Sequence, residues 1–234
     1  MRAIILGGGL GTRLSEETEF RPKPMVLIGD KPILWHIMKI YASFGVQDFV
    51  IATGYKHQII EEWVDQLSES WNVECLFTGE QTQTGGRIRQ CIDAFNDDSF
   101  FVTYGDGLAN VNIDQLIKFH ETHGVLATVT AVHPPARFGV LDLEGDKVIG
   151  FSEKDRDSLG WINGGFFVLN REIRELIHSD SEPFEVGALP RLTNENQLRA
   201  FKHTGFWQPM DTLREKNELD ELARRTVVPW FQFD

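Results

Sequence analysis

The stretch Ile4-Ile5-Leu6-Gly7-Gly8-Gly9-Leu10-Gly11-Thr12-Arg13-Leu14 joins an apolar run to a glycine-rich turn that ends near an arginine. The residues from Arg2 to Leu6 are nearly all apolar and predict a buried central β-strand. Four glycines in five positions let backbone N–H groups approach a ligand without a Cβ in the way. Consecutive N–H groups in such a turn form an anion-binding concavity, and Arg13 adds a charge that suits a phosphate. We therefore expect this loop to hold a nucleoside triphosphate.

The stretch matches neither of the two best-known phosphate loops. A Walker loop needs Gly-Lys followed by Ser or Thr, whereas Gly11 is followed by Thr12 and Arg13. A dinucleotide fingerprint needs a third glycine where Thr12 stands, and the next predicted strand, residues 49–54, does not end in an acid that could hold a ribose. A tight structural turn without a ligand stays open for the loop considered alone, because lone glycine motifs are common.

A second short motif follows the loop. In Arg21-Pro22-Lys23-Pro24-Met25 two prolines flank one lysine, so we expect an extended backbone and a rigid base for the Lys23 side chain. The stretch Gly8-Gly9-Leu10-Gly11-Thr12-Arg13-Leu14 together with Pro22-Lys23-Pro24-Met25 resembles the signature of the sugar-1-phosphate nucleotidyltransferases. The pair of motifs is far more specific than either half.

The composition is that of an ordinary globular protein, with 41% hydrophobic and 25% charged residues among 234. The length fits a single domain. The resemblance implies a single nucleotidyltransferase domain, with a nucleotide-binding half at residues 1–132 and a sugar-phosphate-binding half, including a C-terminal helix, at 133–234. The net charge of −12 argues against a nucleic-acid partner, whose phosphate backbone requires basic patches. Because the sequence has no apolar run of about 18 residues and no apolar leader, we expect no membrane association and a cytoplasmic location.

The order of the predicted elements indicates the fold class. Strands and helices alternate through the first half, which predicts a parallel sheet covered by helices. We expect an α/β, Rossmann-like fold: a mostly parallel central sheet with helices on both faces, plus a smaller β-rich part, which the resemblance implies to be sugar-binding. Strands are predicted at residues 2–6, 48–53, 73–77, 100–104, 125–132, 140–143, 148–152, 161–169, 198–203 and 205–207. Helices are predicted at residues 32–44, 57–67, 88–95, 111–123, 171–178 and 211–225.

Two aspartates are candidate metal ligands. Asp106 lies between two glycines at the C-terminal end of a predicted strand, the edge at which open parallel sheets bind ligands. A carboxylate there can hold Mg²⁺, which usually takes one or two carboxylates plus phosphate oxygens; an Asp that stabilises its own turn is the alternative. Asp211 is the second candidate, with a plain helix N-cap as its alternative. The two aspartates are far apart in the sequence, so pairing them depends on the fold.

Further motifs make the resemblance closer. Nearly the whole chain resembles the glucose-1-phosphate cytidylyltransferase branch of the same family, which implies the nucleotide-diphospho-sugar transferase fold. The tryptophan-containing segment before Asp211 is typical of this branch rather than of the uridylyl- and thymidylyltransferases. The similar motifs are Leu14-Ser15-Glu16-Glu17-Thr18, Pro32-Ile33-Leu34-Trp35-His36-Ile37-Met38, Tyr104-Gly105-Asp106-Gly107, Arg137-Phe138-Gly139, Asn163-Gly164-Gly165-Phe166-Phe167 and Gly205-Phe206-Trp207-Gln208-Pro209-Met210-Asp211-Thr212.

The resemblance implies an activity and a role for each site residue. The implied reaction joins CTP and glucose 1-phosphate, with Mg²⁺, to give CDP-glucose and pyrophosphate, and the family also implies a homo-oligomer. The implied catalytic residues are Lys23, Arg13 and Asp106, and the implied Mg²⁺ ligands are Asp106 and Asp211. The implied nucleotide-binding residues are Leu6, Gly8, Gly9, Leu10, Gly11, Thr12, Arg13, Thr82, Gly85, Arg87 and Gly105. The residues implied to bind the sugar phosphate are Glu153, Lys154, Asn163 and Gly164.

The charges of the implied substrates predict direct displacement. A sugar 1-phosphate is mostly dianionic at pH 7, since the second pKa of a phosphoryl group is about 6, and its oxygen needs no general base. The barrier lies in bringing this anion to an anionic α-phosphorus in line with the leaving pyrophosphate. Positioning and charge neutralisation by Mg²⁺, Lys23 and Arg13 would then supply the catalysis.

Two departures from the family pattern leave alternatives open. Asp155 follows Glu153-Lys154 where the family has a proline, and a longer segment expected before Thr78 is missing. These departures leave the base, the acceptor and the oligomer undecided, so one alternative is a different nucleotide or a different phosphorylated acceptor. Another is a non-catalytic domain that senses a nucleotide or a sugar phosphate. Against this second alternative stands the presence together of Arg13, Lys23, Asp106 and Asp211.

Overall fold

The computed structural model describes residues 1–135, 139–153 and 160–233. In these residues the strands are β1 (Ala3–Leu6), β2 (Leu27–Ile28), β3 (Lys31–Pro32), β4 (Asp48–Thr53), β5 (Asn72–Phe77), β6 (Ser99–Tyr104), β7 (Gly107–Ala109), β8 (Ala127–Val132), β9 (Gly139–Glu144), β10 (Lys147–Glu153), β11 (Ile162–Asn170), β12 (Leu198–Lys202) and β13 (Trp207–Pro209). The α-helices are α1 (Ser15–Thr18), α2 (Ile33–Ala42), α3 (His57–Val64), α4 (Thr84–Ala94), α5 (Ile113–His123), α6 (Ala188–Asn194) and α7 (Leu213–Ala223). Short 3₁₀ turns span Thr12–Leu14, Lys23–Met25, Arg171–Leu176 and Pro229–Phe231.

A seven-stranded sheet forms the centre of the molecule, in the order β12-β8-β11-β6-β1-β4-β5. β1 runs parallel to β4 and β6, β4 runs parallel to β5, and β8 runs parallel to β12. β11 is antiparallel to both of its neighbours, β6 and β8. The prediction of a mostly parallel central sheet is therefore confirmed, with one reversed strand at the junction of the two halves of the sheet.

The core has two layers, one on each face of this sheet. Alternate residues of β1 enter different layers: Ala3 and Ile5 join the first, and Ile4 and Leu6 join the second. The first layer contains buried side chains of α2, α3, α5 and α7, and the second contains those of α4 and α6. Helices on both faces are thus confirmed. They cover a sheet whose central strand is apolar on both sides, as the sequence of β1 predicts.

Three two-stranded pairs accompany the central sheet: β2 with β3, β7 with β13, and β9 with β10. The β7–β13 pair matters most for the site, because it joins the segment after β6 to the segment before α7. In it Trp207 lies opposite Ala109, and Pro209 lies opposite Gly107. The β9–β10 pair is antiparallel, with Glu153 opposite Gly139.

The prediction of an extended backbone at Lys23 is wrong. Lys23 begins a 3₁₀ turn, in which the N–H of Met25 donates to the carbonyl of Pro22 at 2.8 Å. Pro22 itself is extended, with ψ of 151°. Pro24 is compatible with the turn because a proline in the first turn of a helix sacrifices no intrahelical hydrogen bond.

Several other element predictions are corrected. No element was predicted at α6, which contains Pro190, and that proline falls in the first turn of the helix, where it is tolerated. The helix expected at 171–178 is a 3₁₀ turn over Arg171–Leu176, and the strand expected at 205–207 is β13, two residues later. Arg137 and Phe138 of the Arg137-Phe138-Gly139 motif lie outside the described residues.

In the ranges that the structure describes, no helix combines the length and the apolar character needed to cross a membrane. The division into halves at residues 132 and 133 stays a prediction. Strands from both sides of that boundary share the central sheet, since β6 and β8 both pair with β11.

Candidate active site

A cavity of about 390 Å³ opens at the carboxyl edge of the central sheet, where β1, β4 and β6 end side by side. The glycine-rich loop after β1 and the segment after β6 form two of its walls, and residues 80–84 with Arg87 form a third. Of the residues predicted to bind the nucleotide or the metal, those that line the cavity are Leu6, Gly8, Gly9, Leu10, Gly11, Thr12, Arg13, Lys23, Thr82, Arg87, Gly105 and Asp106.

The glycine-rich loop presents free backbone donors to this cavity. The N–H groups of Gly8, Gly9 and Leu10 donate to no other group in the described part of the chain. Thr18 supports the loop from behind, because its hydroxyl donates to the carbonyl of Gly11 at 3.0 Å. Backbone donors without a partner in a cavity-lining loop are groups that can bind phosphate oxygens.

Arg87 is buried, with only 4% of its surface exposed, and it holds the loop in place. Its guanidinium donates to the carbonyl of Gly8 at 3.0 Å, to the carbonyl of Thr53 at 2.9 Å and to the hydroxyl of Thr78 at 2.5 Å. A Cβ on Gly8 would overlap the guanidinium, so this position requires glycine. Burial lowers the pKa of Arg87. The side chain therefore joins the ends of three segments.

Lys23 lies between the two predicted metal ligands. Its Nζ is 2.7 Å from Oδ2 of Asp106 and 2.7 Å from Oδ1 of Asp211. Burial lowers the pKa of Lys23, but the two carboxylates outweigh this effect and the net pKa is raised. Lys23 is accordingly a fully charged ammonium group at neutral pH, and the two carboxylates converge on one point.

The small β7–β13 pair brings Asp211 beside Asp106, because their segments run next to each other. The N–H of Met210 donates to the carbonyl of Asp106 at 2.8 Å. Arg13 then donates from Nη1 to Oδ2 of Asp211 at 2.9 Å, although 73% of its side chain is exposed. The motif with Arg13 near the start of the chain and the motif with Asp211 near its end therefore meet at this edge of the sheet.

The N-cap alternative for Asp211 is wrong. Thr212 is the N-cap of α7, and its hydroxyl accepts from the N–H of Glu215 in a capping box. The carboxylate of Glu215 accepts from the N–H groups of Asp211 and Thr212, at 2.8 and 2.9 Å. The backbone of Asp211 is thus tied to the helix start, while its carboxylate points to Lys23.

The donor set at this point fits a magnesium ion. Two carboxylate oxygens within 2.7 Å of one cationic centre are hard ligands, which Mg²⁺ prefers. Within residues 1–135, 139–153 and 160–233, no group of three His, Cys, Asp or Glu side chains could hold a metal. A cation here would need its remaining ligands from phosphate oxygens and water, as Mg²⁺ usually does beside nucleotides.

The residues predicted to contact the sugar phosphate are brought only partly together. Nδ2 of Asn163 donates to the hydroxyl of Tyr104 at 3.1 Å, and the carbonyl of Gly164 accepts from Nε1 of Trp207 at 2.8 Å. Glu153 ends β10, and Lys154 lies outside the described residues, as does Asp155.

Two predicted nucleotide-binding residues have partners within the protein. Gly85 is buried below the cavity wall, and its N–H donates to the carbonyl of Glu182 at 3.1 Å. A Cβ on Gly85 would lie 2.6 Å from that carbonyl oxygen. The hydroxyl of Thr82, on the wall itself, donates to the carbonyl of Thr78 at 2.5 Å. Gly85 therefore allows close packing between α4 and residues 180–185.

The sequence analysis assigned no role to Tyr104, Thr84 and Glu185, which form a hydrogen-bonded group beside the cavity that Tyr104 and Thr84 line. Tyr104 could have been found, because it directly precedes the Gly105-Asp106-Gly107 turn at the end of a strand. No local signal identifies Glu185, which lies between a buried phenylalanine and an exposed valine.

Comparison with known proteins agrees with the geometry of this edge. The family model for nucleotidyl transferases matches residues 2–213. A glucose-1-phosphate cytidylyltransferase of Salmonella typhi is 46% identical over 253 aligned positions, covering 98% of each chain. A probable glucose-1-phosphate cytidylyltransferase of Bacillus subtilis is 40% identical over 98% of this chain and 99% of its own. The solved structure of Yersinia pseudotuberculosis HddC, complexed with GMP-PN, has a TM-score of 0.75 and 28% identity over 94% of this chain and 98% of its own.

These matches confirm the resemblance that the sequence motifs indicate. The chain belongs to the nucleotidyl transferase family and is a nucleotidyltransferase.

Proposed function

We propose that this nucleotidyltransferase makes CDP-glucose and pyrophosphate from CTP and glucose 1-phosphate. The observation that carries the proposal is the convergence of Lys23, Asp106 and Asp211 beside a glycine-rich loop with free N–H donors. The choice of CTP and of glucose rests on the 46% identity to the Salmonella typhi cytidylyltransferase, which extends over 98% of both chains.

Members of this family generally use a divalent metal, and in our proposal Asp106 and Asp211 hold Mg²⁺. When bound, the ion would neutralise triphosphate charge at the reacting centre. The loop N–H groups of Gly8 to Leu10 bind phosphate oxygens, and Arg13 is sufficiently exposed to turn toward them. Lys23, with its raised pKa, retains its positive charge beside the α-phosphate and offsets the approach of two anions.

The acceptor needs no activation by a base in this scheme, because the second pKa of a sugar phosphate is about 6. Its phosphate oxygen displaces pyrophosphate directly at the α-phosphorus, and the residues contribute position and charge. In our proposal Glu153, Lys154, Asn163 and Gly164 bind the sugar phosphate. Arg87, Thr82 and Gly85 act on the nucleotide mainly by shaping the cavity wall, since their polar groups have partners in the protein.

A different nucleotide or acceptor is the second candidate, and one observation favours it. The alignment with the Salmonella typhi protein extends over 253 positions, more than the 234 residues of this chain, so that relative carries residues that this chain lacks. A missing segment beside the nucleotide site would alter base selection. A non-catalytic sensing domain is less well supported, because Arg13, Lys23, Asp106 and Asp211 form one connected charged group.

The test is Mg²⁺-dependent pyrophosphate release from glucose 1-phosphate with CTP, UTP, dTTP and GTP in parallel. We expect release with CTP, its loss on chelation of the metal, and its loss in Asp106→Asn. Release with another nucleotide alone would move the assignment to the second candidate. Tight CTP binding without release from any phosphorylated acceptor would favour the sensing role. A homo-oligomer and a cytoplasmic location are part of the same proposal, to be checked by light scattering and by cell fractionation.

A further inference from the structure

Glu185 connects two walls of the cavity through its carboxylate. Oε1 accepts a hydrogen bond from the hydroxyl of Tyr104, and Oε2 accepts one from the hydroxyl of Thr84 at 2.7 Å. Thr84 begins α4, next to the segment 80–83 that lines the nucleotide side, and Tyr104 ends β6, two residues before Asp106. One side chain thus bonds both to the α4 wall and to the strand that precedes Asp106, the proposed metal ligand.

The position of this carboxylate is set by buried neighbours, although Glu185 itself is exposed. Phe184 is fully buried and packs edge-on against Phe167, with ring centroids 5.6 Å apart. Its N–H donates to the hydroxyl of Thr84 at 2.8 Å. The carbonyls of Asp180 and Glu182 accept from the N–H groups of Gln83 and Gly85, so residues 180–185 are joined to the start of α4 by several bonds.

Tyr104 extends this connection to the proposed sugar side. Its hydroxyl donates to Glu185 and accepts from Nδ2 of Asn163 at 3.1 Å, while Oδ1 of Asn163 accepts from the N–H of Gly165 at 2.8 Å. Gly165 has φ of +81°, and a Cβ there would lie 2.5 Å from the Tyr104 ring, so only glycine allows the ring this position.

We propose that Glu185 is a positioning residue that couples the nucleotide and sugar-phosphate ends of the active site. The inference rests on the proposed function, which assigns Thr82 and Gly85, the near neighbours of Thr84, to the nucleotide wall and Asn163 to the sugar phosphate. Each hydroxyl has a single proton, and both protons are directed to this carboxylate. Without it, the Tyr104 and Thr84 hydroxyls lose their common acceptor, and the two ends can move independently.

The first test is Glu185→Ala, with KM measured separately for CTP and for glucose 1-phosphate. We expect both KM values to rise about fivefold to tenfold, the scale of one or two lost hydrogen bonds, while kcat changes less than about threefold. Glu185→Gln should restore part of both KM values, since its amide oxygen can still accept from one hydroxyl. The matched control is Glu182→Gln, three residues earlier, whose carboxylate pairs with Arg191 at 2.5 and 3.1 Å. This control should leave both KM values unchanged.

The second test asks whether the two ends communicate through Glu185. Thr84→Val removes a hydroxyl on the nucleotide side, and we expect it to raise the KM for glucose 1-phosphate about threefold. In the Glu185→Ala background the same change should have no effect on that KM. A merely structural role would lower stability in both backgrounds without this dependence, so thermal unfolding is recorded for every variant.

Three results would overturn the inference: unchanged KM values in Glu185→Ala, a rise confined to one substrate, or an equal effect of Thr84→Val in both backgrounds. Failure of the proposed function is a separate result, namely absence of pyrophosphate release by the unsubstituted protein. In that case calorimetric titration with CTP still decides the nucleotide half of the inference. Glu185→Ala should weaken CTP binding about fivefold or more, and equal affinity would contradict it.

Discussion

Two buried cations line the same cavity, and they differ in their partners. Lys23 is bonded to two carboxylates, whereas Arg87 is bonded to three backbone carbonyls and a hydroxyl. The pKa of Lys23 is raised, because the carboxylates outweigh burial, and the pKa of Arg87 is lowered by burial. The contacts of Lys23 depend on charge and are open to exchange with another cation. The contacts of Arg87 depend on the shape of its planar fork. We infer that Lys23 serves the chemistry and Arg87 serves the architecture of the loop.

The largest expected effect concerns the charged group. Lys23→Ala and Asp106→Asn should each leave a folded protein whose turnover is lower by at least about a hundredfold, the usual scale for losing one electrostatic stabiliser. The measurement is steady-state pyrophosphate release, with circular dichroism as the test of folding. Lys216→Ala, which removes a half-buried lysine that lies outside the proposed site and 3.9 Å from Glu17, is the control. Near-normal turnover in either site variant would remove that residue from the mechanism.

Arg87→Lys tests whether Arg87 supports the architecture of the glycine-rich loop. An ammonium group cannot reach Gly8, Thr53 and Thr78 at once, so at least one buried acceptor loses its donor. We expect the free energy of unfolding to fall by about 2–4 kcal/mol, measured by urea denaturation. Arg191→Lys is the matched control, because Arg191 is 32% exposed and paired with Glu182, and it should lower the free energy of unfolding much less than Arg87→Lys does. Equal losses in the two variants would mean that Arg87 has no special architectural role.

A titration with Mg²⁺ should further distinguish the role of Lys23 from that of Arg87. In Lys23→Ala the carboxylates of Asp106 and Asp211 face each other without their ammonium partner, and Mg²⁺ can take its place. Saturating Mg²⁺ should raise the melting temperature of this variant by about 2–5 °C more than that of the unsubstituted protein, both without nucleotide. Arg87→Lys should gain no such stabilisation. If the extra rise in melting temperature disappears in Lys23→Ala/Asp106→Asn, Mg²⁺ binds at this site. An equal rise in every variant would contradict the replacement of the Lys23 ammonium group by Mg²⁺.

The smallest expected effect is the pH dependence of the Lys23 contribution. Its folded pKa lies above the unfolded value of 10.5, so the folded protein binds the proton more tightly. The stability from Lys23 is therefore fully present below pH 10.5 and is lost as the pH rises through the folded pKa. It is measured as the difference in unfolding free energy between the unsubstituted protein and Lys23→Met from pH 8 to pH 11. A difference that grows with pH would have the wrong sign for this interpretation.

Local patterns in the sequence predicted most of the fold. The apolar run in β1, the helix in α2 that ends before Gly45, and the β4 strand at Asp48–Thr53 all follow from periodicity and from residues that end helices. The pattern failed where a proline stands inside a helix, as in α6, and where two prolines flank Lys23. In both places the proline falls early in a turn, where its missing N–H costs nothing, and this position cannot be judged until the helix start is known.

The sequence by itself determined the chemical groups of the site: a loop of glycines followed by Arg13, a lysine between prolines, and two aspartates in separate motifs. Only the tertiary structure decided how they combine. The β7–β13 register brings Asp211 to Lys23, and the packing of residues 180–185 on α4 brings Glu185 to Tyr104. Local sequence patterns report turns and faces within one element. Contacts between distant segments depend on strand register and core packing, which involve the whole chain at once.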